Sequence, residues 1–146
     1  MSTVPEVLAA LATLGGATLP NSQIIDGTLS SVTQTTGRLF LVGDQEFEIQ
    51  RDFDSLGGVT TTERYVVPCA VVADVQTPDQ SVADAQAWAD YEALEIAVAA
   101  TPQLGLAGSF SLQAAIVGTQ SFRRLADENG RHSLVRFGVD VYCAND

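Results

Sequence analysis

The chain has 146 residues, enough for one ordinary domain built on one core. Hydrophobic residues make up 46% and charged residues 17%, which excludes the composition of a disordered chain. Eighteen acids face seven basic residues, all of them arginine, and a formal charge of −11 argues against a reader of nucleic acid, which needs a basic surface to meet phosphate.

Thr3 suits an N-cap, Pro5 the first turn and Glu6 the positive helix end, and Val7, Leu8, Leu11 and Leu14 recur at helical spacing. The spacing predicts a short first helix that Gly15-Gly16 ends. The same stretch holds a proline and an acid and lacks a positive leading segment, so it does not read as an export signal, and nothing reaches membrane-span length. Gln23–Gly27 reads as a weak strand, and the Ser/Thr stretch through Thr36 as a loop.

Arg38–Val42 and Gln45–Phe53 flank Gly43-Asp44, and Phe47, Ile49 and Phe53 alternate with Glu46, Glu48, Gln50 and Asp52. This pattern predicts a hairpin with one wet, acidic face. Asp54–Thr62 reads as a glycine- and hydroxyl-rich loop, expected to order only when a partner binds. A long strand comes next, with Tyr65, Val67, Cys69, Val71, Ala73 and Val75 on one side and Val66, Ala70 and Val72 on the other; Pro68 removes a ladder donor and predicts an edge or a bulge.

Thr77-Pro78-Asp79-Gln80 supplies a cap, a first-turn proline, an acid and a capping-box glutamine, and Thr101-Pro102 supplies a stop. The expected helix runs from about 78 to 100, roughly 34 Å at ~1.5 Å per residue. Val82, Ala85, Ala89, Ala93, Ile96 and Ala100 form one stripe, expected to approach the sheet closely. Ala87, Trp88, Tyr91, Leu94 and Val98 form the other, expected to need cover from the first helix or another chain.

Two long alternating strands, Phe110 to Ile116 and Val135 to Cys143, should meet through a turn around Asn129-Gly130. The element order predicts a single α+β domain over 1–146: a mainly antiparallel sheet with one long helix and the short N-terminal helix packed on it.

Nothing in this order assembles an active site. His132, the only histidine, has no catalytic partner in sequence, and Asp52–Gly57 lacks the ligand positions of a calcium loop. Glu92 and Glu95 sit among apolar residues without a histidine, and Gly105–Gly108 comes after a helix where a phosphate cradle must precede one. Cys69 and Cys143 lie in apolar runs and read as buried free thiols. No enzyme activity, metal or cofactor is expected. Residues 1–111 carry fourteen acids and three arginines, net −11, while 112–146 carry four of each. Arg123-Arg124, joined by Arg136, therefore make a local basic patch opposite an acidic body, suited either to head-to-tail self-association or to pairing with Asp127, Glu128 and Asp140 in their own hairpin.

The long helix and the two strands after it resemble the carboxyl half of tail terminator proteins of long-tailed phages. Ser81 to Trp88 leads into Ala93-Leu94-Glu95-Ile96-Ala97-Val98, where that family carries an A-I-E-x-A-L segment. Thr101-Pro102-Gln103-Leu104-Gly105 stands where the family has D-P-T-L-G-G, with threonine for the aspartate and Leu106 for the second glycine. Val4 to Leu11 is similar to the family's short first helix.

The resemblance implies a virion protein: a homohexameric ring that caps the tail tube, ends tail growth and meets the head connector or stopper, with tail tube protein and connector as partners and DNA only passing through. It would be assembled in the host cytoplasm. Trp88, Tyr91, Arg123, Arg124 and Arg136 are the expected subunit or partner contacts, and Glu46, Glu48 and Asp52 the expected lumen-facing acids. The alternatives are another head-tail connector or neck adaptor, a monomeric protein-binding module, or a small α+β enzyme.

Overall fold

A computed structural model describes residues 2–27, 37–54, 60–76, 78–106, 110–127 and 130–145. In chain order they form α1 (Val4–Thr18), β1 (Ser22–Asp26), β2 (Gly37–Val42), β3 (Ile49–Asp54), β4 (Thr60–Val75), α2 (Gln80–Ala100), β5 (Phe110–Asp127) and β6 (Gly130–Asn145). One sheet runs β1-β2-β4-β6-β5, with β3 also on β4, and every pairing except β1 with β2 is antiparallel. Both helices pack on one face, so the α+β class and the mainly antiparallel sheet are as expected.

The segment from Arg38 to Phe53 is not a hairpin. β2 pairs with residues 69–74 of β4 and β3 with residues 60–65, so the two lie end to end along one edge of the same strand. Between them the chain leaves the ladder over 43–48 while β4 advances only through 66–68. Pro68 explains the break. Its carbonyl accepts from Gly43 N at 2.9 Å, so its nitrogen points to the same edge and has no hydrogen to give a continuing strand. Gly43, at φ +64°, turns the chain out at that point. The hairpin partner of β3 is β4 itself. Asp54 and Thr60–Thr62 belong to these strands rather than to a loop, and the rest of the expected ordering loop lies outside the described residues, as does the Ser/Thr stretch after Gly27.

α1 runs through Gly15-Gly16 to Thr18 instead of ending there. Gly15 serves packing: a Cβ at that position would stand 2.3 Å from the Phe40 ring. Thr3 occupies the cap position without a capping bond, because its side chain is turned to Glu63.

α2 is capped by Asp79, not Thr77: the carboxylate accepts from Ser81 N at 3.0 Å. Its two stripes are exchanged relative to expectation. Ala83, Ala87, Tyr91, Leu94 and Val98 are buried against the sheet, whereas Val82, Ala85, Ala89, Ile96 and Ala100 face outward. The larger side chains remove far more apolar area from water than alanines do, and this sets the helix's rotation. Phe40, Phe137, Tyr91, Trp88 and Phe122 then form a chain of ring contacts, with neighbouring centroids 5.3–6.3 Å apart, running from β2 across β6 and α2 to β5.

β5 and β6 form the expected long hairpin. Gly130, at φ +143°, closes so tightly that a Cβ would stand 2.2 Å from the Val75 carbonyl oxygen. Register places Cys69 opposite Phe137 and Cys143 opposite Glu63, six residues apart along β4 and so roughly 20 Å. That is far beyond disulfide reach, and both are buried free thiols.

Candidate interaction surface

Five arginines are tied down within the chain. On the helix-covered face Arg38 meets Asp90 of α2 at 3.3 Å and Arg124 meets Asp84 at 3.1 Å, fastening α2 to β2 and to β5. Asp84 also accepts from Ser133 Oγ at 2.5 Å and from Gln80 Nε2 at 3.2 Å. Burial would raise the Asp84 pKa, but these donors and Arg124 outweigh it and hold the carboxyl below its ordinary value. For Asp90 burial wins over Arg38, and the pKa is raised.

The start of α1 is anchored in the same way. Glu63 Oε1 accepts from Thr3 N at 2.8 Å and Thr3 Oγ1 at 2.6 Å, Thr3 Oγ1 lies 3.0 Å from the Tyr65 hydroxyl, and Arg51 stands 3.3 Å from the other carboxylate oxygen. Burial opposes ionisation of Glu63, yet the Thr3 bonds and Arg51 hold its pKa below the usual value. Sequence reading missed this cluster because its members lie sixty residues apart. Thr3 signalled only a cap.

The face opposite the helices divides in two. Beside β2 it is closed: Leu39, Leu41 and Ala70 are buried, and Asp44, folded over from the 43–48 connection, accepts from Arg136 at 2.7 Å. Farther along it is open, with Val66 37%, Tyr142 47% and Val117 54% exposed. Here a groove of about 810 Å³ runs between the connection, with Glu46 and Glu48 on its wall, and the strands carrying Arg64, Val66, Val117 and Asp140. Arg64 meets Asp140 at 3.2 Å across its floor. Exposed apolar side chains interleaved with charged ones are the mixed surface that protein-binding patches present.

The expected site residues scatter. Tyr91 is 5% exposed and donates to Glu95 at 2.9 Å within the same helix, so it offers no contact surface; Trp88 is half-buried between Tyr91 and Phe122. Arg123 and Arg124 point to opposite faces, as adjacent strand residues must, and Arg136 shares the face of Arg123. Arg124 and Arg136 pair with Asp84 and Asp44, acids outside their hairpin. Glu46, Glu48 and Asp52 are exposed, the first two on the connection and Asp52 on β3, so they do not share the face of one hairpin.

Among the described residues no three His, Cys, Asp or Glu side chains gather as a metal site. His132 is engaged with Asp74 at 3.3 Å, and burial pushes the Cys69 thiol up to about 12, where it stays protonated. No helix among the described residues is long and apolar enough to cross a membrane.

No family model matches the sequence, and no curated protein does. Among solved structures, a chain of the virion of a native gene transfer agent particle is similar over 93% of this chain and 94% of its own, with 14% identity and a TM-score of 0.48.

Proposed function

We propose that this chain is a structural subunit of a phage-type virion, a tail-terminator-like protein that forms a ring over the end of the tail tube, stops its growth and presents a surface to the head connector. It has no enzymatic role and takes no cofactor. The observation that carries this reading is a sheet that, among the described residues, is covered by helices on one face, while its other face opens a groove of exposed apolar side chains flanked by Glu46 and Glu48. Such a surface calls for protein partners rather than a small substrate.

The motifs that resemble the terminator family support it. Thr101 to Gly105 forms the turn that ends α2 and feeds β5: Leu104 is buried with φ +54°, Gly105 is next at φ +69°, and Pro102 O accepts from Ala114 N at 2.7 Å. The exposed Glu46, Glu48 and Asp52 are the acids assigned to the lumen, where like charge keeps passing DNA from adhering.

Adding purified protein to growing tail tubes tests the reading. Tubes of fixed length, capped by a ring and competent to join heads, are expected. Continued growth past the normal length, with the protein left monomeric in light scattering, would overturn it.

A further inference from the structure

The sheet ends in two edges, and they match. β5 forms one edge, and from Ser121 to Ala126 all six of its residues are exposed, Phe122 and Leu125 at 39% and 48%. β1 forms the other edge and pairs only with β2 among the described residues. An exposed edge strand bearing large apolar side chains is a template for another strand, and natural proteins leave one uncovered at the risk of aggregation.

Register shows that the two edges lie at one level. Following partners across the sheet, Ile24 aligns with Phe40, Val71, Val135 and Phe122, and Gln23 aligns with Leu39, Val72, Leu134 and Arg123. β1 and β5 run in opposite directions, so a second copy placed beside the first would bring β1 antiparallel to β5. The hydrogen-bonding phase also agrees. Gly27 N donates to Val42 O, so alternation turns the backbone groups of Ser22, Ile24 and Asp26 outward. On the other edge Pro68 and Gly43 fix the phase of β4, which through β6 turns Phe122, Arg124 and Ala126 outward.

Side-chain faces correspond as well, because Ile24 and Phe122 both lie on the helix-covered side.

We propose that the edge of β5 over Ser121–Arg124 pairs antiparallel with the β1 edge, Ser22–Ile25, of a second copy, joining subunits head to tail into a continuous sheet, with Phe122 opposite Ile24 and Arg123 opposite Gln23. The contact is heterologous, so repetition yields a ring when the rotation closes. This deepens the ring reading and rests on it.

Two single-cysteine variants, Gln23→Cys and Arg123→Cys, test the register. Both positions are exposed and stand at opposite edges of one subunit, four strand spacings or roughly 19 Å apart, so a bond between them within a chain is excluded. Mixed and oxidised in the presence of tail tubes, the variants are expected to form a cross-linked heterodimer, and neither alone a homodimer. Arg124→Pro removes an outward N–H that the β6 ladder does not use and should weaken self-association about tenfold or more, the equivalent of one or two net hydrogen bonds. Arg124→Ala keeps that N–H and should associate far better than the proline variant, with far-ultraviolet circular dichroism confirming that both are folded. Rings that form without the cross-link, or that tolerate the proline, would overturn the edge pairing and leave the ring reading standing. Protein that stays monomeric with tail tubes would overturn both.

Discussion

The two faces of this sheet are built from the same strands and differ in almost everything else. On the helix-covered face Phe40, Val67, Val71, Phe137, Val139 and Val141 are at most 1% exposed, and arginine–carboxylate pairs fasten α2 while a buried carboxylate anchors the start of α1. On the other face Val66, Val117 and Tyr142 are 37–54% exposed, the first two lining a groove. One face buries its apolar area within the chain, and the other leaves it exposed; on the function proposed above, substitutions on the two faces should separate stability from assembly.

The largest effect is expected at the middle of the covered face. Phe137→Ala removes a ring that touches Phe40 and Tyr91 and should cost about 3–5 kcal/mol, read as a lower denaturant midpoint. Next is Gly130→Ala, which puts a methyl against the Val75 carbonyl at a backbone angle that side chains avoid. A loss of about 1–3 kcal/mol is expected, and an unchanged melting temperature would contradict the closure described for that turn.

Acid titration distinguishes the two buried carboxylates. The lowered pKa of Glu63 supplies stability that is present above its ordinary value of 4.5 and is lost as pH falls through the lower folded value. The raised pKa of Asp90 acts in the opposite sense, since protonation relieves a buried charge and adds stability as pH falls through the folded value. Thermal unfolding between pH 7 and pH 3 should therefore lose part of its acid sensitivity in Glu63→Gln and gain sensitivity in Asp90→Asn.

The smallest effect on folding belongs to the open face. Val66→Ser and Tyr142→Ser should each cost about 1 kcal/mol or less, well under Phe137→Ala. The same pair should weaken binding to tail tube or connector in a pull-down, and a folding defect as large as that of Phe137→Ala would erase the contrast between the faces.

Much of this was legible in the chain. Alternation in β4 and β6, the stop at Thr101-Pro102, the start of β6 at Gly130 and the interruption at Pro68 are local facts, set by side-chain period and by missing donors or special backbone angles. The functional reading came from the resemblance carried by Val4–Leu11 and Ser81–Gly105, not from composition.

Tertiary structure decided what depends on partners far off in sequence. Gly15 lies inside a helix rather than at its end, and its missing side chain makes room for Phe40, twenty-five residues on. The stripe of α2 that faces the sheet was settled by competition between large and small side chains for one surface, and periodicity reports that two stripes exist but not which is buried. β2 and β3 lie end to end because both bond to β4, although Gly43-Asp44 reads locally as a hairpin turn. The pairing of Arg136 with Asp44, Arg124 with Asp84 and Glu63 with Thr3 came only with the fold, since charges find the partners that packing brings within reach. The sequence determined the periods and the breaks; the packed sheet determined which side of each element would be buried in the core and which left exposed.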